Sequence, residues 1–248
     1  MGLCYKAWRE SESRFTFAAT TMAIIVSAMV LLHDIIARTI LHFSGAYRFD
    51  DFAIRHVFGF PKGVFMIFVL MLGAGGLLRE RTQGTIGFTL ALPVSRERLL
   101  LSRVLVGLGE VSLLALFPAL ALVTLSPLIG QTFAVLDATR FAVVWIVCGA
   151  LIFAVTFLIS SLFSGEIIDI VGGYLVVMFQ AVIAKWPPIA RFQINIAWVM
   201  NGRGFVQTDV NGVVSTGPLP WVRLAVIASI AAVLLLVSVE VVRRRDLA

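Results

Sequence analysis

Carboxylates and histidines set against apolar sequence are the side chains here that could do chemistry. His33, His42 and His56 share the stretch 33–60 with Asp34, Asp50 and Asp51. Imidazoles and carboxylates together are the donor set of a zinc-type metal site, but these spacings fit no ligand motif. A solvated loop or an interfacial helix is the reading taken for 33–60, with no metal ligands assigned. Two other carboxylates, Glu110 and Asp169, stand inside apolar runs. An ionisable group at membrane depth is costly and is a functional candidate by default, so both are candidates for a transport pathway or gate. Each has a plainer reading. Arg103 lies seven residues before Glu110, on the same face of a helix, and it or a neighbouring helix could neutralise the carboxylate near the membrane surface. Asp169, with Glu166, could simply complement the dipole at a helix N-terminus. The chain contains no HExxH, GxSxG or GxxxxGK[ST] pattern, so the sequence offers no catalytic residues and no nucleotide-binding loop.

The stretch 73–103, GAGGLLRERTQGTIGFTLALPVSRERLLLSR, differs most from its surroundings. Arg79, Glu80 and Arg81 end one apolar run, and Arg96, Glu97, Arg98 and Arg103 precede the next. Between them, 85–92 is long enough for about two helical turns, and Pro93 stops it because proline lacks the amide and clashes with the preceding turn. The pattern predicts a short helix lying at a membrane surface between flanking arginines.

A glutamate, then Gly-Thr, an apolar helix and Pro-Val-Ser-Arg before the next apolar run resembles the loop between the second and third transmembrane helices of ABC type-2 permeases. The matching residues are Glu80, Gly84, Thr85, Leu92, Pro93, Ser95 and Arg96. The Arg-Arg-Arg-Asp-Leu run at 243–247 also resembles the usual finish of that family. The resemblance implies that 79–103 is a cytosolic coupling loop docking on a separate ABC ATPase subunit, which binds the ATP and Mg. It implies that two permeases, identical or related, pair in the membrane, and that an interfacial elbow helix occupies 1–14. It carries no information on cargo.

Composition agrees with a membrane protein. Of 248 residues, 60% are hydrophobic and 14% charged, with mean hydropathy +0.99, against about 45–50% and about 25% in soluble domains. No room remains for a separate water-exposed catalytic domain. The net charge of +6 is spread among helix ends instead of forming a stripe, which argues against nucleic acid. Cys4 and Cys148 form no disulfide or metal pattern. The first apolar run has no convincing cleavage site and is read as a retained helix.

Hydropathy predicts an all-α, polytopic single domain over 1–248 with six transmembrane helices, at 15–32, 63–78, 104–125, 141–163, 167–184 and 221–242. Pro118 is expected to kink the third. Gly73, Gly75 and Gly76 crowd the inner end of the second, for close helix approach or as a hinge. Lys62 is placed to snorkel at its outer end. In the extracytoplasmic loop, 185–220, Ile189, Phe192, Ile196 and Val199 recur at helical spacing, and 205–216 reads as a hairpin turning at Asn211-Gly212. Trp186, Trp198 and Trp221 suit an interfacial belt. Lys and Arg are about twofold denser on the side holding 79–103 and both ends of the chain, which predicts cytoplasmic termini in an inner (plasma) membrane.

The expected function is the transmembrane permease of an ATP-binding-cassette exporter, not itself an enzyme, with membrane lipids around it and a mostly apolar pathway suited to amphipathic cargo. The alternatives are an intramembrane enzyme, which needs a nucleophile and base or metal ligands at helix depth, and a non-transporting membrane scaffold or assembly factor.

Overall fold

A computed structural model describes residues 2–40, 42, 47–74, 96–163, 165–190, 195–208 and 214–244. The described chain is predominantly helical, with one two-stranded sheet. Six longer helices are α1 (Gly2–Leu31), α2 (Pro61–Gly73), α3 (Arg96–Leu125), α4 (Val135–Leu162), α5 (Glu166–Ile183) and α6 (Trp221–Arg244). The strands β1 (Val206–Thr208) and β2 (Val214–Thr216) pair antiparallel, Val206 opposite Thr216 and Thr208 opposite Val214. The hairpin expected at 205–216 is therefore present; its turn residues lie outside the described part.

Five helical stretches are long and apolar enough to cross a membrane: Gly2–Leu31, Phe49–Gly73, Glu97–Ile129, Val135–Leu162 and Trp221–Arg244. The fifth helix of the expected six, Ile167–Ile183, is apolar but shorter. Its 17 residues give about 26 Å of helix at 1.5 Å per residue, less than the roughly 30 Å of a hydrocarbon core. Helix α5 ends at Ile183, and a turn precedes Pro187. Its length stops there because Pro187 and Pro188 follow.

One boundary differs from expectation, and one open reading is narrowed. An elbow helix at 1–14 separate from the first span is not observed, since Gly2–Leu31 is one unbroken helix. Nothing between Glu10 and Phe17 breaks it: there is no Pro or Gly from Leu3 to Leu31. Of the two readings of 33–60, solvated loop or interfacial helix, its described residues mostly take the helical one. His33–Ile35, Ile36–Ile40, Phe49–Phe52 and Ala53–Val57 are helical, the second and fourth as π turns, and Phe49, Phe52, Ala53, Ile54, Val57 and Phe58 join the core. Their spacing, 49-52-53-57, is an amphipathic stripe whose apolar face outweighs the charges on its other side. Pro118 sits within α3, which continues to Leu125; bundles accommodate such prolines because neighbouring groups satisfy the freed carbonyl.

Helix α4 is the centre of the bundle, packed against α2, α3, α5 and α6, while α1 lies along α3 and α2. Glycine lets these helices close up. A Cβ on Gly73 would lie 2.8 Å from Thr156 Cβ, and one on Gly173 would lie 2.6 Å from Thr156 Oγ1, so α2 and α5 both meet α4 at Thr156. Of the two readings of Gly73, close approach is what the packing shows; Gly75 and Gly76 are outside the described residues.

One end of the bundle carries the hairpin and the short helices Pro187–Ala190 and Ile196–Met200. Asn195 caps the second of these, accepting from the Trp198 amide at 3.2 Å. Lys62 does not simply reach for solvent. Its Nζ donates to Asn201 Oδ1 at 2.7 Å and to the Ala197 carbonyl at 3.3 Å, holding the C-terminus of that helix against the start of α2. Lys62→Met keeps the stem and removes both bonds. It is expected to cost about 1 kcal/mol, read as faster amide exchange across 196–201 with the remainder of the bundle unchanged. Arg140 Nη1 ties the hairpin to α4 by donating to Thr216 Oγ1 at 2.7 Å and Asp137 Oδ1 at 3.1 Å.

Candidate functional site at the roots of segment 75–95

The opposite end of the bundle is where α2 ends and α3 begins, and the 75–95 connection between them lies outside the described residues. Glu80, Gly84, Thr85, Leu92, Pro93 and Ser95 all fall within it. Arg96 is the first residue of α3. The described structure therefore contains the two roots of the expected coupling loop and what holds them.

Helix α1 holds both. Its buried residues Ala7, Ala18, Met22, Val26 and Met29 recur every three or four positions, and Ser11 and Arg14 occupy the same stripe between Ala7 and Ala18. That face continues in register into the polar half of the helix, where the positions facing α2 and α3 carry hydrogen-bonding groups in place of methyls. Arg14 Nη1 donates to the Met71 carbonyl at 3.2 Å and the Ala74 carbonyl at 3.0 Å. These are among the terminal carbonyls of α2 that have no intrahelical donor, so a guanidinium there serves as a C-cap and complements the negative end of the dipole. Glu10 Oε2 accepts from Arg103 Nη2 of α3 at 2.6 Å. Ser11 Oγ donates to Glu110 Oε1, two turns further along α3.

Arg103 is 9% and Glu110 2% exposed, and both face α1, as their separation of seven predicts. Arg103 pairs with Glu10, and Glu110 accepts a hydrogen bond from the Ser11 hydroxyl of the neighbouring helix, which solvates the carboxylate without bringing a charge to neutralise it. Lys6 lies 3.7 Å from Glu10 on the outer side of the pair. At the start of α3, Glu97 lies 3.8 Å from Arg243 of α6. Both of those side chains are half-exposed, and such a pair contributes about 0–1 kcal/mol.

Asp169 is buried (3% exposed) but belongs to another interface. It precedes by one turn Gly172 and Gly173, whose α-carbons face Ile159 and Thr156 of α4. Glu110 faces α1 instead, so the two carboxylates proposed for a pathway or gate lie in different helix interfaces. The residues that sequence reasoning passed over are Glu10, Ser11 and Arg14. The signal for Ser11 and Arg14 was the stripe 7-11-14-18-22, which is visible once 2–31 is read as one helix, and Glu10 borders it.

Among the described residues no three of His, Cys, Asp or Glu lie close enough together to hold a metal ion. His33 is buried, with Nδ1 3.1 Å from the Val30 carbonyl and its ring packed edge-on to Phe49 at 5.2 Å. Tyr47 donates to Asp34 Oδ1 at 2.9 Å. Burial, that hydrogen bond and the Asp34 charge push the phenol up to about 12, so it stays protonated and acts as a donor holding 47–48 to the end of α1. Comparison of the chain with protein-family models and with curated proteins returned no match.

Proposed function

We propose that this chain is the transmembrane permease subunit of an ATP-binding-cassette exporter, in which segment 75–95 receives the motion of a separate ATPase. The observation that carries the reading is the placing of the Glu80, Gly84-Thr85, Pro93, Ser95-Arg96 series. All of it but Arg96 falls in the connection between two helical stretches long enough to cross a membrane, and the ends of those stretches lie beside the polar start of α1 and the basic end of α6. A lever works only if its fulcrum is stiff, and both ends of this connection continue directly into helices that are hydrogen-bonded or ion-paired to others. In this reading Glu80 and Arg96 orient the short helix 85–92 against the ATPase, which supplies the ATP and Mg sites, and a second permease completes the translocation path. Helix α5 crosses the membrane with local thinning or with its flanking residues at the interface, the termini face the cytoplasm of the plasma membrane, and Glu110 and Asp169 are available as polar points along the path.

The test is purification of the tagged chain from native membranes in mild detergent, with mass spectrometry of whatever stays bound in stoichiometric amount. A soluble ATPase with a phosphate-binding loop is expected. Glu80→Ala and Arg96→Ala are each expected to reduce transport-stimulated ATP hydrolysis by an order of magnitude or more, since a misplaced coupling element removes a differential contact between the two states. Unchanged hydrolysis and transport in both variants would remove the coupling assignment.

A further inference from the structure

Three side chains within five residues of α1 reach different partners. Arg14 holds the last carbonyls of α2, while Glu10 and Ser11 hold Arg103 and Glu110 of α3. Residues 10 and 14, and 11 and 14, are one helical turn apart and so lie side by side. The two roots of segment 75–95 are therefore gripped by one rigid turn, and the grip on each root is chemically distinct: helix capping on one side, a carboxylate–guanidinium pair and a hydroxyl–carboxylate bond on the other. Packing alone does not require this, because an apolar stripe would have joined α1 to α2 and α3 equally well, as Ala18, Met22 and Val26 do further along.

We propose that the polar half of α1 is a brace that sets the spacing of the α2 and α3 roots, so that displacement of segment 75–95 moves α1, α2 and α3 as one body. The bonds are directional and part-buried: Arg103 is 8% exposed at its side chain, against 37% for Glu10. Hydrogen bonds weaken steeply with length and angle, so the grip resists changes of spacing more sharply than apolar contact would. Residues Glu10, Ser11 and Arg14 are then positioning residues, acting through the helices they hold. As a statement about how motion enters the bundle the brace deepens the permease reading and rests on it; as a statement about root spacing it stands alone.

The experiment measures root spacing directly. Spin labels at Ile67 of α2 and Leu101 of α3, which are about half exposed, are introduced into the full chain carrying Cys4→Ser, Cys148 being fully buried. Distances are recorded by pulsed electron resonance in lipid nanodiscs. In the parent a single narrow distance is expected. Arg14→Ala, and separately the milder Glu10→Gln, are expected to broaden the distribution and shift it to longer distance. The exchanged pair Glu10→Arg with Arg103→Glu is expected to narrow it again relative to Glu10→Gln. Distributions in folded Arg14→Ala and Glu10→Gln that superimpose on the parent would overturn the brace, as would a Glu10→Gln distribution that superimposes on it when Arg14→Ala does not fold. Absence of any ATPase partner would count against the permease reading while leaving this distance measurement unaffected.

Discussion

Trp145→Ala is expected to give the largest loss of stability of any single truncation at the hairpin end of the bundle. Trp145 is fully buried in the first half of α4, about three turns from its start. Its ring lies 4.9 Å from Phe65 and 6.1 Å from Phe58, and its indole Nε1 donates to the Met200 carbonyl at 3.2 Å. Phe58 in turn stacks on Phe141 at 4.1 Å, which meets Phe205 at 4.9 Å. One side chain thus joins the segment before α2, α2 itself, α4 and the irregular cap of the bundle. In soluble cores deleting such a ring costs about 3–5 kcal/mol. Where lipid replaces water the transfer part shrinks, and the lost packing and the orphaned carbonyl carry the effect. Trp145→Phe keeps most of the ring contact and loses only the hydrogen bond, so it is expected to cost about 1–3 kcal/mol. The readout is heat-induced exposure of Cys148, fully buried one turn away, to a thiol-reactive dye in detergent. The order parent, then Phe, then Ala in unfolding temperature supports the cluster as described; coincident curves for parent and Ala would refute it.

Gly149→Leu is the second large effect. A Cβ at this position in the middle of α4 would lie 2.7 Å from Val111 Cγ1 of α3 and 2.8 Å from Phe65 Cζ of α2. Phe65 and Val111 are themselves fully buried and have nowhere to retreat. A single added carbon must push α3 and α2 apart from the helix between them, and leucine adds four. Overpacking of this kind costs about 1–3 kcal/mol and at times more. Gly109 supplies the contrast on α3: a Cβ there meets nothing within 4 Å. Gly109→Leu is expected to leave the unfolding temperature unchanged or raised, since glycine in a helix interior is about 0.5–1 kcal/mol worse than alanine. If the two leucine variants unfold alike, α4 is not clasped between α2 and α3 as described.

Which features were legible beforehand follows the range over which the information is written. The apolar runs at 104–125, 141–163 and 221–242 became parts of α3, α4 and α6, and the pairing of Val206–Thr208 with Val214–Thr216 matched the alternation around Asn211-Gly212. Hydropathy, helix breakers and hairpin turns act over a few residues, so the chain states them locally. The sequence left 33–60 between a solvated loop and an interfacial helix because its charges and histidines suggested water, while its stripe of Phe49, Phe52, Ala53 and Val57 shows its worth only once the bundle packs against it.

By itself, then, the sequence determined a predominantly helical, strongly apolar chain with one charged break between its second and third long helices, since composition and periodicity are properties of neighbouring residues. The tertiary structure alone decided that Arg14 would meet residues 57 and 60 positions away, that Glu10 would pair with Arg103 across 93 residues, and that Ser11 would find Glu110 across 99. Each of those side chains has an ordinary local reading as an interfacial charge or a helix hydroxyl. Only when α1 is laid along α3 and α2 do their donors and acceptors fall within reach, because the partner of a polar group on a helix is chosen by which helix packs over it and not by anything in its own turn.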